Sequence, residues 1–239
     1  IGFICKSSAP FDNLNVRQAL NYAINRPLIV KAILHGAGQP ASGIWPVGSP
    51  YHDSSLANFY AYNPKKAKQL LAVAGYPHGF STTLVVFPGA ALTQTFEVIQ
   101  QEWAAIGVQV TLVQSDNPTI DFFVRKVTPL NLGSGSAAGD YGPINEFIPG
   151  NLGDVCNYND PTIATLYQKV AGLDPRTAQA IAGVRQLQKL AYEQALMVFV
   201  INAKLLVAYD SKVHNLVINP YLYGGAGVID YWSGVGVTK

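Results

Sequence analysis

An acidic residue in a loop of small residues is the part of this sequence best suited to bind a ligand through charge. Asp140 and Tyr141 stand in the string GSGSAAGDYG, and no Lys or Arg occurs between Lys126 and Lys169. Glycine lets the backbone approach a bound molecule closely, and a carboxylate without a nearby cation can pair with a positively charged ligand group. Asp140 can equally be a turn-forming residue whose side chain bonds the local backbone. The residues alone leave both interpretations open.

The glycine-rich string before Asp140 also matches the G-x-G-x-x-G/A pattern of dinucleotide-binding loops. That chemistry needs a helix directly after the glycines, because the helix N-terminus receives the pyrophosphate. Here Gly139, Gly142 and Pro143 follow, so no helix can begin. The sequence contains neither a G-x-x-x-x-G-K-[ST] loop nor a G-x-S-x-G nucleophile elbow. Both nucleotide binding and hydrolase chemistry are therefore disfavoured.

Residues that bind metals or transfer protons are scattered along the chain. The four histidines lie far apart, and none has the i, i+4 spacing of a helical ligand pair: His35, His52, His78 and His214. Glu97 and Glu102 are predicted on one helix but are five residues apart, so they do not share a face cleanly. Asp160 and Asp174 each precede a proline and are predicted to cap helices. We expect no catalytic residue, no metal site and no cofactor.

The two cysteines, Cys5 and Cys156, are too far apart in sequence for a zinc ribbon, which needs close Cys or His pairs. They are either two buried thiols or a disulfide, and a disulfide would imply an oxidising compartment. A catalytic thiol is disfavoured because neither cysteine has a His with an Asn or Asp in its context.

Composition indicates a folded globular chain. The 239 residues are 49% hydrophobic and only 13% charged, against about a quarter charged in an average protein. The net charge is +2, from 16 basic and 14 acidic residues, and no basic stripe occurs, which argues against nucleic-acid binding. No run of 18 apolar residues exists, so no membrane-spanning helix is predicted.

Hydrophobic periodicity and turn residues divide the chain into helices and strands. Helices are predicted at 15–25, 27–36, 64–75, 95–106, 161–172 and 175–195. On the first of them, Arg17, Gln18 and Asn21 are predicted to face solvent. Strands are predicted at 82–87, 108–113, 196–203, 205–209 and 213–218. The order of strand 82–87, helix 95–106 and strand 108–113 predicts a βαβ unit with parallel strands, so the fold class is α/β.

Two long segments, 36–62 and 131–153, contain several Gly and Pro residues each and are predicted to be irregular. The first carries five aromatic residues, and we expect it to wrap over the body of the fold. The chain opens with IGFICKSS, which is typical of a strand already under way and contains no signal peptide. We expect an excised piece or a processed form.

Several long strings resemble one protein family. APFDNLNVRQALNYAINRPLIVKAILHGAGQPASGIWP is very similar to the opening of the ligand lobe in large bacterial extracellular solute-binding proteins of ABC importers. These are the periplasmic oligopeptide-, dipeptide- and nickel-binding proteins. YAYNPKKAKQLLAVAGYPHGF, QQEWAAIGVQVTL and CNYNDPTIATLYQKV resemble later blocks of the same family. The resemblance runs across nearly the whole chain.

The resemblance implies a periplasmic-binding-protein-like lobe, with a mixed sheet flanked by helices and large irregular loops. Residues 10–207 would form the C-terminal, ligand-holding lobe of a two-lobe protein. Residues 1–9 would be a hinge strand and residues 208–239 a return segment, both belonging to the partner lobe. We expect these two terminal segments to pair with each other.

The resemblance also implies where the ligand lies. Peptide-binding members carry a GW-x-x-DY string, which places Asp140 and Tyr141 on the ligand-facing Asp and Tyr, with Gly139 before them and Ala137 where the family has Trp. The loop that begins at Pro88 and Gly89 would also line the site. The implied ligand-binding residues are therefore Ala137, Gly139, Asp140, Tyr141, Pro88 and Gly89. This loop lacks the Arg that dipeptide binders use for the peptide carboxylate. Both departures disfavour a short peptide and leave open a longer peptide, another amine-bearing solute or a sugar.

The function that follows from the resemblance is capture of a peptide-like or related small solute by hinge closure, with delivery to ABC permease subunits. The chain would not be an enzyme. It would be a monomer without nucleic-acid partners, working in the periplasm or outside the cytoplasmic membrane, with which it associates through the permease. The alternatives are an α/β enzyme, either a hydrolase or a nucleotide-dependent transferase, and a sensor domain built on the same lobe.

Overall fold

The computed structural model describes residues 2–5, 9–113, 115–132, 160–203, 210–214 and 236–237. Its α-helices are α1 (Leu14–Tyr22), α2 (Arg26–Ile33), α3 (Pro64–Val73), α4 (Ala90–Ala104), α5 (Pro161–Ala171) and α6 (Ala178–Glu193). Its strands are β1 (Gly2–Ile4), β2 (Gly38–Pro40), β3 (Phe80–Val86), β4 (Val108–Val113), β5 (Leu130–Leu132), β6 (Met197–Val198), β7 (Ile201–Ala203), β8 (Val213–His214) and β9 (Gly236–Val237). Within these ranges, no helix combines the length and the apolar character needed to cross a bilayer.

A five-stranded mixed sheet with the order β4-β3-β5-β1-β6 organises the lobe. β3 pairs in parallel with β4 on one side and with β5 on the other, whereas β1 is antiparallel to both β5 and β6. Two smaller two-stranded sheets join β2 to β7 and β8 to β9. The α/β class and the mixed sheet predicted from the sequence are confirmed.

The predicted βαβ unit is present as β3, α4 and β4. Its two strands run parallel, from the pair Phe80 and Val108 to the pair Val85 and Val113. α4 begins five residues before the predicted helix, whereas β4 has the predicted bounds. Leu84 and Val85 are both buried, and successive side chains of a strand point to opposite faces of the sheet. β3 is therefore covered on both faces, as parallel strands usually are.

The two faces of the sheet belong to two hydrophobic cores. One core contains Leu84 and is built mainly from α1, α2, α3 and α4. The other, which we call the second core, contains Val85 and is built from α5, α6 and the loop between β2 and α3. Trp45, Tyr51 and Tyr60 of that loop are buried, so the expectation that this aromatic segment wraps over the fold is confirmed.

Asparagine side chains begin the first three helices. Asn13, Asn25 and Asn63 are the N-cap residues of α1, α2 and α3, and each side chain accepts a backbone N–H of the first turn. Asp160 caps α5 as predicted. The prediction for Asp174 is wrong: Thr177 caps α6, and Asp174 instead accepts the backbone N–H of Arg176 in the preceding turn.

Two residues predicted to face solvent are buried. Arg17 is 3% exposed and Asn21 is fully buried. The Arg17 guanidinium donates to the carbonyl oxygens of Phe11, Asp12 and Gln194, and the Asn21 amide donates to those of Arg17 and Met197. The prediction failed because a buried polar side chain is stable when backbone acceptors satisfy it, and helical periodicity alone does not reveal those acceptors.

The expected pairing of the two terminal segments is wrong for strand β1. Both edges of β1 are occupied, one by β5 and the other by β6, while β8 pairs with β9. The assignment of residues 1–9 and 208–239 to a partner lobe stays a prediction. The predicted strand 196–203 divides into β6 and β7, which belong to different sheets. Predicted strand 205–209 lies outside the described residues, as does most of 213–218.

Candidate functional site

The carboxyl ends of three parallel strands meet at one edge of the main sheet. β3 lies between β4 and β5, and all three run in the same direction. The chain leaves β3 toward β4 on one side, and it reaches β5 on the other side. In open α/β sheets, ligands bind outside the carboxyl ends of the strands where connections diverge in this way. This edge, which we call the carboxyl edge, is the candidate site.

Two of the predicted site residues lie at the carboxyl edge. Pro88 and Gly89 follow β3 after one intervening residue, both are exposed, and Gly89 is the N-cap residue of α4. Gly89 provides no side-chain cap for this 15-residue helix. The first N–H groups of the helix therefore lie uncapped at the carboxyl edge, beside the loop. These N–H groups and the positive end of the helix dipole favour hydrogen-bond acceptors.

The other four predicted site residues, Ala137, Gly139, Asp140 and Tyr141, lie outside the described residues. The strand register fixes where their segment starts. Leu132, the last described residue before it, pairs with Val86, which is two residues before Pro88. β5 therefore ends at the carboxyl edge, beside the loop that carries Pro88 and Gly89.

A polar cluster between β4 and β5 was missed in the sequence. The Asp121 carboxylate accepts the Ser115 hydroxyl at 2.6 Å and pairs with the Arg125 guanidinium at 2.9 Å. The hydrogen bond from Ser115 and then that from Arg125 lower the pKa of Asp121. The i, i+4 spacing of Asp121 and Arg125 was the available signal. This cluster shapes the short π-helix Ile120–Val124.

An aromatic contact attaches that π-helix to the carboxyl edge. The rings of Phe123 and Phe87 meet edge to face, with centroids 6.1 Å apart. Phe87 is the residue between β3 and Pro88, so the contact links two of the three connections that follow the parallel strands. Neighbouring Phe122 is buried and anchors the segment in the second core. The edge thus has an apolar wall beside the predicted ligand loop.

A network around Arg26 of α2 connects α1, the loop between β2 and α3, and the segment between β6 and β7. Arg26 is buried, and it donates to the carbonyl oxygens of Phe199 at 2.5 Å, Tyr60 at 3.0 Å and Asn21 at 3.1 Å. Burial lowers the pKa of Arg26. Glu102 accepts the backbone N–H of Asn25 at 3.0 Å, and burial raises the pKa of Glu102.

The remaining candidate groups are placed as follows. In the described part of the chain, no group of three or more His, Cys, Asp or Glu side chains is arranged to hold a metal ion. Glu97 is exposed, whereas Glu102 is committed to Asn25. Cys5 is disulfide-bonded, so the two-thiol alternative is wrong for this residue. Cys156 lies outside the described residues.

Comparison with known proteins identifies the family. The family model described as bacterial extracellular solute-binding proteins, family 5 Middle, matches residues 1–167. Heme-binding protein A of Haemophilus influenzae is 31% identical over 228 residues, covering 90% of this chain and 41% of that protein. Glutathione-binding protein GsiB of Escherichia coli is 43% identical over 108 residues, covering 45% of this chain and 21% of that protein.

Comparison with solved structures also leads to binding proteins. The dipeptide binding protein from Pseudoalteromonas sp. SM9913, in complex with Met-Leu, superposes with a TM-score of 0.78 and 22% identity, covering 92% of this chain and 45% of that one. The fold is therefore that of periplasmic binding proteins. The chain spans less than half the length of each of these three proteins. Because the family model matches more than half of the sequence, this chain belongs to family 5 of the bacterial extracellular solute-binding proteins.

Proposed function

We propose that this chain is the ligand-holding lobe of a solute-binding protein that serves an ABC importer. The whole protein captures a peptide-like or related small solute between this lobe and a second lobe, then delivers it to permease subunits in the membrane. The chain's coverage of less than half of its relatives' length supports a second lobe. Hinge closure of two lobes around a ligand is an established mode of capture in binding proteins of this kind.

The observation that carries the proposal is the carboxyl edge. An exposed Pro88–Gly89 loop lies there, and Leu132, the last described residue before Asp140, pairs with Val86, two residues before Pro88. We infer that Pro88 and Gly89 form one side of the cleft, and that Ala137, Gly139, Asp140 and Tyr141 form another. The apolar contact between Phe87 and Phe123 forms a wall of this cleft.

The chemistry of the segment favours a solute that carries a cation or hydrogen-bond donors. Asp140 has no Lys or Arg in its sequence neighbourhood from 127 to 168, so a ligand ammonium is a suitable partner for its carboxylate. Ala137 leaves more room than the tryptophan that the resemblance places there, which favours a larger solute. Relatives described as binding glutathione or a dipeptide support a peptide-like ligand.

The protein acts by binding and release rather than by catalysis, and it works as a monomer outside the cytoplasmic membrane, associated with the membrane through the permease. The extracellular description of the family supports this location. The disulfide at Cys5 supports it independently, because disulfides persist in oxidising compartments.

Native mass spectrometry of the full-length protein, purified from its host without denaturation, tests the proposal. We expect one small solute of defined mass per protein, which dissociates on unfolding and is identified by fragmentation as an amine-bearing compound. Conversion of the solute to a product during incubation would contradict the proposal by indicating an enzyme. So would a solute without any basic or hydrogen-bond-donating group.

A further inference from the structure

Three buried polar atoms in the second core have no hydrogen-bond partner among the described residues: Trp45 Nε1, Gln188 Nε2 and Tyr192 Oη. Their residues are 2%, 0% and 3% exposed. Buried polar groups in native proteins are almost always paired, and ordered water completes many of them. Trp45 and Tyr192 belong to the second core, and Gln188 bonds to Ile44 of the same core, so we look for one explanation for all three atoms.

The orientation of the Gln188 carboxamide is fixed by its oxygen. Gln188 Oε1 accepts the backbone N–H of Ile44 at 2.7 Å. The carboxamide packs directly against Gly43, where an added Cβ would overlap Oε1. Exchanging the oxygen and nitrogen would put two donors face to face, so Nε2 must lie on the far side of the group. Both of its hydrogens are then available.

The other two atoms belong to Trp45, which is next to Ile44 in the sequence, and to Tyr192, which is one helical turn from Gln188. Trp45 follows Ile44 directly, so its backbone starts beside the Gln188 carboxamide. Tyr192 is four residues after Gln188 on α6, which places both side chains on one helix face. The Tyr192 ring is held by stacking on Phe199, with centroids 4.5 Å apart. Burial raises the pKa of Tyr192, so its hydroxyl keeps its proton.

We propose that a buried water molecule joins the 43–45 loop to α6 by accepting hydrogen bonds from Trp45 Nε1 and Gln188 Nε2 and donating one to Tyr192 Oη. Two N–H donors and one phenol oxygen match the two lone pairs and one O–H of a water. A metal cation does not suit the set, because the indole and amide N–H groups are donors only. The water thereby attaches the aromatic loop to the helix that covers the second face of the sheet.

A crystal structure of the full-length protein, at a resolution that shows ordered solvent, tests the proposal directly. We expect an electron-density peak within hydrogen-bond distance of Trp45 Nε1 and Gln188 Nε2. Protein atoms bonded to these two nitrogens, or a dry site, would overturn the proposal.

Thermal unfolding of Tyr192→Phe gives a second test. If the water is present, removing the hydroxyl breaks a hydrogen bond and lowers Tm, by about 2 °C. If the site is dry, the variant loses an unpartnered buried hydroxyl, and Tm stays unchanged or rises. Tyr62→Phe is the matched control, because Tyr62 is 48% exposed. The Tm of this control variant should equal that of the wild type.

Discussion

Gly79 and Gly107 pack backbone against backbone, immediately before the parallel strands β3 and β4. A Cβ added to Gly79 would overlap the carbonyl oxygen of Gly107, and Gly79 has a φ of +78°. The two turns can approach this closely only without side chains. Their contact sets the common starting level of β3 and β4, and hence the level at which both strands end at the carboxyl edge.

Gly79→Ala should therefore destabilise the protein well beyond the strain of a left-handed backbone. Gly75→Ala is the matched control, since Gly75 has a φ of +90° but no atom within 4 Å of an added Cβ. We expect the control to lose about 1 kcal/mol and Gly79→Ala at least twice as much in urea denaturation. Equal losses would show that the contact with Gly107 contributes nothing.

The N-cap of α3 provides a second prediction. Asn63 accepts the backbone N–H of Lys66 at 2.9 Å. Asn63→Ala should lower the free energy of unfolding by about 1 kcal/mol, because one first-turn donor loses its partner. Lys65→Ala, at an exposed position of the same turn, should leave stability unchanged or slightly raised. A cap variant as stable as this control would contradict the assigned role.

Arg26 should not be replaceable by lysine. Its guanidinium reaches three backbone carbonyls on different segments, those of Asn21, Tyr60 and Phe199. A lysine ammonium keeps the charge but cannot reproduce this planar geometry. Arg26→Lys should lower the free energy of unfolding by about 2 kcal/mol or more, measured by chemical denaturation. Stability equal to the wild type would show that charge alone matters at this position.

Glu102 predicts a pH-dependent effect. Burial raises its pKa, despite the opposing hydrogen bond from the Asn25 N–H and the nearby charge of Arg26. The folded state therefore favours the protonated acid, so the stabilisation is complete below the unfolded-state pKa and is lost as pH rises through the folded-state pKa. Glu102→Gln, which mimics the protonated form, should gain stability relative to the wild type as the pH rises from about 4 to about 7.

Chemical denaturation of both proteins at the two pH values measures that gain. Glu97→Gln is the control, because Glu97 is exposed on the same helix. A difference between Glu102→Gln and the wild type that does not change with pH, or that reverses sign, would contradict the assignment.

Local signals predicted elements whose ends carry side-chain caps. Asn63, Pro64 and Asp160 marked helix starts that the structure confirms, and the alternation of 108–113 marked β4. Such local signals do not predict contacts between residues that are far apart in the sequence. The burial of Arg17 and Asn21 depends on carbonyls of Gln194 and Met197, more than 170 residues away. Likewise, β5 was not predicted, because three residues next to a glycine-rich segment carry no periodicity of their own.

In the candidate site, too, local signals predicted some features and long-range contacts determined the others. Pro88 and Gly89 lie where the sequence predicts them, in the loop after strand β3, and their role in ligand binding stays a prediction. The sequence pattern did not indicate how the chain returns from β4 to β5. Two features depend on that return: the cluster of Ser115, Asp121 and Arg125, and the contact of Phe87 with Phe123.

We propose that Asp140 faces the cleft and binds a positively charged or hydrogen-bond-donating group of the solute. A charge-assisted contact contributes about 1.5–3 kcal/mol, so Asp140→Asn should weaken binding roughly 10- to 150-fold. Thermal stability should change little, because a loop carboxylate that is not committed to a turn supports little of the core.

Isothermal titration calorimetry measures this on the full-length protein, with the solute identified by mass spectrometry and with the same compound after acetylation of its amine. We expect Asp140→Asn to lose affinity for the free amine and acetylation to weaken wild-type binding by a similar factor, while the two changes together add little. Undiminished affinity of Asp140→Asn for the free amine would show that Asp140 does not bind the solute and would favour a turn-forming role.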